Sequence, residues 1–107
     1  MLPVTWLITG SSRGLGLEFV TQLVNNPNNV VLATCRNPDT AAGLKTLTAE
    51  GDGRVRGKLH VIPLDVADET SIMQASEVVG DILSRVGQIP GAAGLDYLIQ
   101  NAAITLP

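Results

Sequence analysis

The chain has 107 residues, 45% of them hydrophobic and 16% charged, with a formal net charge of -3. That length supports one small domain with its own core, and the composition excludes a disordered chain. No basic cluster offers a footprint for nucleic acid or an anionic membrane surface, and no apolar run approaches the ~18 residues of a membrane span.

Val4 to Ile8 is a short apolar run with a β-branched bias, which predicts a strand buried on both faces. After it come Thr9-Gly10-Ser11-Ser12-Arg13-Gly14-Leu15-Gly16 and then a helix from Leu15 to about Val24. In that helix Phe19, Val20, Leu23 and Val24 recur at helical spacing until Asn25-Asn26-Pro27 ends the pattern. Val30 to Cys35 predicts a second buried strand. Asn37 or Asp39 is placed to cap the next helix, with Pro38 in its first turn, and that helix runs through Leu44 and Leu47. Gly51-Asp52-Gly53 and Gly57 mark a loop in which Arg54 and Arg56 read as a solvated turn. Leu59 to Leu64 predicts a third strand; because Pro63 cannot donate to a central ladder, this strand belongs at a sheet edge or ends close to Pro63. Asp68 suits the N-cap of a third helix whose apolar face is Ile72, Ala75, Val79, Ile82, Leu83 and Val86. Gly87 to Gly94 reads as a loop, and Leu95 to Gln100 as a fourth strand.

Alternating strands and helices imply an α/β fold with a Rossmann-like, doubly wound parallel sheet. The strand order 3-2-1-4 follows if the chain reverses direction after strand three. The first two helices then cover one face and the third covers the other, and a ligand belongs in the crevice between strands one and four.

The glycine-punctuated turn reads as a phosphate-binding loop, since the following helix directs free N–H groups and the positive end of its dipole at whatever lies above. Gly10 allows a sharp turn, Gly14 leaves room for a close ligand, and Gly16 lets helix and sheet pack tightly. Hydroxyls at Thr9, Ser11 and Ser12 are available for hydrogen bonds. The spacing Gly-x-x-x-Gly-x-Gly is not the common Gly-x-Gly-x-x-Gly, and no Gly-Lys-Ser/Thr follows, which argues against a P-loop NTPase. By itself the pattern also suits an ordinary glycine-rich turn. At the end of strand two, where NAD-selective sites place an acidic residue, stand Cys35 and Arg36. A guanidinium there matches a phosphate bidentately, and Arg13 is able to reach the same group; the alternative is two solvated arginines near a turn. Cys35 and His60 read as packing residues rather than a reactive thiol or a metal ligand, and no metal site is suggested.

The eight residues Thr9 to Gly16 resemble the Thr-Gly-x-x-x-Gly-x-Gly cofactor loop of the short-chain dehydrogenase/reductase family, which binds NAD or NADP on a Rossmann fold. The resemblance implies that Gly10, Ser11, Ser12, Arg13, Gly14, Leu15 and Gly16 surround a dinucleotide pyrophosphate. Basic residues at the positions of Arg13 and Arg36 favour NADP over NAD in that family. Asp65 matches an Asp that accepts from the adenine amino group, with the N–H of Val66 at the ring; the other reading of Asp65 is a cap for the turn before the third helix. Gln100-Asn101-Ala102-Ala103 resembles the family's Asn-Asn-Ala-Gly, with Asn101 and Ala102 matching and Ala103 adding a Cβ beside the cofactor ribose. Ala33-Thr34-Cys35-Arg36-Asn37-Pro38 and Leu64-Asp65-Val66 resemble the carbonyl-reductase-like C-factor and sniffer group most.

The family's chemistry uses a tyrosine and a lysine four residues apart with a serine upstream. The only tyrosine is Tyr97, four residues before Asn101, and Lys45 and Lys58 both precede it. No catalytic residue is therefore carried over, and Tyr97 reads as a packing residue of strand four. Residues 1–107 are expected to be the NAD(P)-binding half of such an enzyme, truncated after the fourth strand and inactive alone. The alternative is a non-catalytic protein that binds nucleotide or a partner. Strand four, with Leu95, Leu98 and Ile99, would form an apolar edge through which the chain self-associates. A cytoplasmic setting is expected from the lack of a charged leader and from the single cysteine.

Overall fold

The computed structural model describes residues 3–49, 55–87 and 94–101. The elements are β1 (Val4–Ile8), α1 (Gly14–Leu23), β2 (Asn29–Cys35), a single 3₁₀ turn (Pro38–Thr40), α2 (Ala42–Thr48), β3 (Lys58–Pro63), α3 (Glu69–Val86) and β4 (Tyr97–Ile99). All neighbouring strands pair in parallel, in the order β3-β2-β1-β4. This is the Rossmann-like arrangement that the alternation predicts.

Side-chain alternation sorts the strands' residues onto two layers. Ile8, Val31, Ala33 and Cys35 face α1 and α2, where Val20, Val24, Leu44 and Leu47 close the core. Val30, Leu32 and Ile62 face the opposite way, against Ala75 and Ile82 of α3. All seven residues of β2 are buried, because it is flanked by strands and covered on both faces. β3 is an edge strand and Pro63 is its last residue, paired with Cys35, so the missing N–H costs no ladder bond; the next N–H, of Leu64, donates to the Cys35 carbonyl at 2.8 Å.

Several local expectations change. Asn37 does cap, but it caps the 3₁₀ turn by accepting from the Asp39 N–H at 3.1 Å. α2 starts only at Ala42, after Ala41 and without a side-chain cap. Asp68 caps α3 as expected, accepting from the Thr70 N–H at 3.0 Å. On the expected apolar face of α3, Ala75 and Ile82 are buried, whereas Ile72 is 42% exposed.

β4 is shorter than the apolar run suggests, and ahead of it a polar clamp joins Thr5 to Asp96 alongside the backbone bond from the Asp96 N–H to the Thr5 carbonyl at 3.2 Å. The Thr5 N–H donates to Asp96 Oδ2 at 2.8 Å, the Thr5 hydroxyl donates to the Gly94 carbonyl at 2.7 Å, and the Asp96 N–H donates to Thr5 Oγ1 at 2.8 Å. Tyr97 packs as expected: it stacks on Trp6 with ring centroids 4.3 Å apart, yet stays 54% exposed. The expected turn at Gly51 to Arg54 and most of the loop between Gly87 and Gly94 lie outside the described residues. Among the described residues no helix is long and apolar enough to cross a membrane.

Candidate functional site

The glycine turn lies at the C-terminal ends of β1 and β4, where the strand order reverses. Gly10 and Gly14 have φ of 67° and 60°, a left-handed backbone that strains any residue with a Cβ. Ser11 is fully buried: its N–H donates to the Thr34 carbonyl at 2.9 Å and its hydroxyl to the Ile8 carbonyl at 2.8 Å. Thr9 Oγ1 accepts from the Asn101 N–H at 3.0 Å. These two hydroxyls therefore tie the turn to the sheet, while Ser12, half-buried, faces the adjoining cavity.

Gly16 and Asn101 act on the same atom. Asn101 Nδ2 donates to the Gly10 carbonyl at 3.0 Å. A Cβ on Gly16 would stand 2.1 Å from that carbonyl oxygen and 2.7 Å from Asn101 Nδ2. The tight packing expected of Gly16 is thus a contact between the first turn of α1, the Gly10 peptide and the end of β4.

α1 begins after Arg13 with no side-chain cap and no acidic residue in its first turn. Its leading N–H groups and dipole lack a carboxylate of the helix's own, which suits an anion. Leu15, 63% exposed, stands on that turn. Arg13 and Arg36 are both exposed, Arg36 being the first residue after β2, and they line one cavity of about 600 Å³ with Ser12, Asn37, Thr40 and Gly43. That volume lies within the range of small-molecule sites, roughly 300–1,000 Å³. Sequence reasoning had paired the arginines but missed Asn37, Thr40 and Gly43, for which the Asn37-Pro38 turn signal was the available clue. A Cβ on Gly43 would meet Leu17 Cδ2 at 2.4 Å, so this glycine lets α2 approach α1 beneath the cavity.

Asp65 and Val66 follow β3 at the same end of the sheet, both half-buried. Asp65 Oδ1 accepts from the Ala67 N–H at 3.0 Å, and the Asp65 N–H donates to Ser71 Oγ at 2.8 Å, so Asp65 closes the turn into α3. Asn101 is the last described residue; Ala102 and Ala103 lie beyond. Burial pushes the Cys35 thiol above its ordinary value, partly offset by a hydrogen bond from the Asn37 backbone, which fits a packing cysteine and not an activated one. Among the described residues no group of three His, Cys, Asp or Glu is placed to hold a metal.

The family model for short chain dehydrogenases matches residues 5–107. The chain belongs to the short-chain dehydrogenase family. It is 37% identical over 99 residues to the short chain dehydrogenase virK of Hypocrea virens, covering 92% of this chain and 32% of that relative. The NADPH-bound carbonyl reductase from chicken fatty liver is similar in structure, with 37% identity and a TM-score of 0.74 over 97% of this chain and 36% of the other. A short-chain dehydrogenase/reductase from Serratia marcescens shares 27% identity with a TM-score of 0.66, over 96% of this chain and 37% of the other. The chain thus spans about a third of the length of these relatives.

Proposed function

We propose that this chain is the NADP(H)-binding half of a short-chain oxidoreductase whose reaction moves hydride between NADP(H) and a carbonyl or alcohol. The observation that carries the reading is the convergence of Arg13 and Arg36 on one cavity beside the uncapped N-terminus of α1. A dinucleotide with a third phosphate matches that donor set: N–H groups for the pyrophosphate and two guanidinium forks for the ribose phosphate. The likeness to a carbonyl reductase described as NADPH-bound supports the same choice.

In this reading Gly10, Ser12, Arg13, Gly14, Leu15 and Gly16 form the pyrophosphate cradle, and Ser11 holds its shape from below. Arg36 and Arg13 bind the ribose phosphate, Asp65 and Val66 border the adenine, and Asn101 with Ala102 borders the second ribose. The cofactor supplies the hydride; these residues bind and orient it. With Tyr97 stacked on Trp6 and no lysine four residues after it, the 107 residues bind NADPH without turnover. A reducing, cytoplasmic setting belongs to the same proposal, in keeping with the lone buried Cys35.

Calorimetric titration of NADPH and NADH tests the cofactor assignment. Arg36→Ala should cost NADPH roughly tenfold to hundredfold and leave NADH nearly unchanged, as expected for a charged hydrogen bond of about 1.5–3 kcal/mol. An unaltered preference would overturn it. The purified chain should show no carbonyl-dependent NADPH oxidation. The β4 edge, with Tyr97 and Leu98 54% and 49% exposed, is proposed to drive self-association. Sedimentation should show oligomers that Leu98→Lys disperses, and a stable monomer independent of NADP would refute this.

A further inference from the structure

At the opposite end of the strands from the glycine turn, β3 begins beneath the C-terminal end of α3. A second cavity of about 410 Å³ lies there, lined by Lys58 and His60 from β3, Arg85, Ile82 and Val86 from α3, and residues that precede β1 and β2. Among the described residues that line it, none is acidic. In a chain of net charge -3, two of the seven Lys and Arg and the only His meet at this cavity.

Arg85 alone has a local explanation, since it sits in the last turn of α3, where a cation complements the helix dipole. That does not account for Lys58 and His60, which stand two residues apart on β3, on the sheet face that α3 covers. The Asn29 side chain is held by the fold, its oxygen accepting from the Trp6 indole at 3.1 Å and its nitrogen donating to the Leu23 carbonyl at 2.8 Å. Burial first, then the positive charges of Arg85 and Lys58, hold the His60 pKa below its ordinary value. Ile82, Val86 and Val30 supply an apolar wall next to these cations.

We propose that this cavity binds a small amphipathic carboxylate, its apolar body against Ile82 and Val86 and its anionic head between Lys58, His60 and Arg85. A bound anion offsets the repulsion between Lys58 and Arg85 and favours the protonated form of His60, while the apolar wall makes a bare inorganic anion the poorer ligand. The site is separate from the cavity lined by Arg13 and Arg36, and the proposal does not rest on the cofactor assignment.

Amide and imidazole NMR of the 107-residue chain tests it with three probes: hexanoate, 1-hexanol and inorganic phosphate. Hexanoate should saturably shift the amides of Lys58 to His60 and Ile82 to Val86 and raise the His60 pKa, without shifting Arg13 or Arg36. Hexanol and phosphate, each carrying half of the chemistry, should bind roughly tenfold more weakly or worse. Lys58→Gln with Arg85→Gln should weaken hexanoate by about tenfold; both residues are exposed, so the fold should persist, as circular dichroism would report. The rise of the His60 pKa is read in the unsubstituted chain and holds the proposal to account if the variant fails to fold. Equal binding of hexanol or phosphate, an unmoved His60, or undiminished affinity in a folded double variant would each overturn it.

Discussion

On one face of the sheet, two helices of ten and seven residues bury Val20, Leu44 and Leu47, with Val24 at the end of the first, to 2% exposure or less. On the other, a single helix of eighteen residues buries only Ala75 and Ile82, at 6% and 5%, and leaves Ile72, Met73 and Val78 exposed. Helix length therefore does not measure core closure: two short helices present more buried side chains than one long helix spanning the same sheet alone. The two faces also differ in what they support. The closed face sets the position of the glycine turn and the paired arginines, whereas the thinly covered face contains the second cavity at the end of α3.

The widest separation should come from truncating one core residue on each side. Leu44→Ala, in a site walled by α1, β2 and α2, should cost about 3–5 kcal/mol in urea unfolding, the upper part of the range for buried leucine. Ile82→Ala should cost about 2 kcal/mol, because its cavity already adjoins open space that solvent can fill. Equal losses would show that α3 is as tightly coupled to the sheet as α1 and α2.

Gly16→Ala probes the closed face where it meets the site. Alanine improves helix propensity by up to about 1 kcal/mol, but its Cβ would lie 2.1 Å from the Gly10 backbone oxygen, a contact that moves backbone. Overpacking of about 1–3 kcal/mol should win, giving a net loss in unfolding experiments together with weaker NADPH binding. Stability unchanged or raised would show that the Gly10 peptide yields easily.

The contrast between the faces was partly legible in the residues. Short apolar runs located β1, β2 and β3, helical spacing located α3, and Pro63 placed β3 at the edge. The glycine spacing located the turn. Contacts between distant residues were not legible: Asn101 holds the Gly10 carbonyl across 91 positions, and Thr5 clamps Asp96 across the same separation, just ahead of β4. Asn37 carried a true capping signal, but a cap does not state whether a 3₁₀ turn or an α-helix follows. His60 read as a packing residue because nothing near it in sequence announces Arg85, which a helix brings across the sheet face.

That arrangement also yields the smallest expected effect, a pH dependence confined to the α3 face. His60 is held below its ordinary value of 6.5 by burial, Arg85 and Lys58. The unfolded chain therefore binds a proton at His60 at higher pH than the folded chain does. Well above pH 6.5 His60 is neutral in both states and contributes no difference; as pH falls through about 6.5 toward the folded pKa, the unfolded state gains protons first and stability declines. His60→Gln should flatten that slope below about pH 6.5 and leave stability at pH 8 unchanged, as read from urea midpoints. Its amplitude should stay below that of Ile82→Ala, because His60 is only partly buried and solvent screens the two cations. A slope unaffected by the substitution would assign the acid sensitivity to the carboxylates and remove His60 from the account of the α3 face.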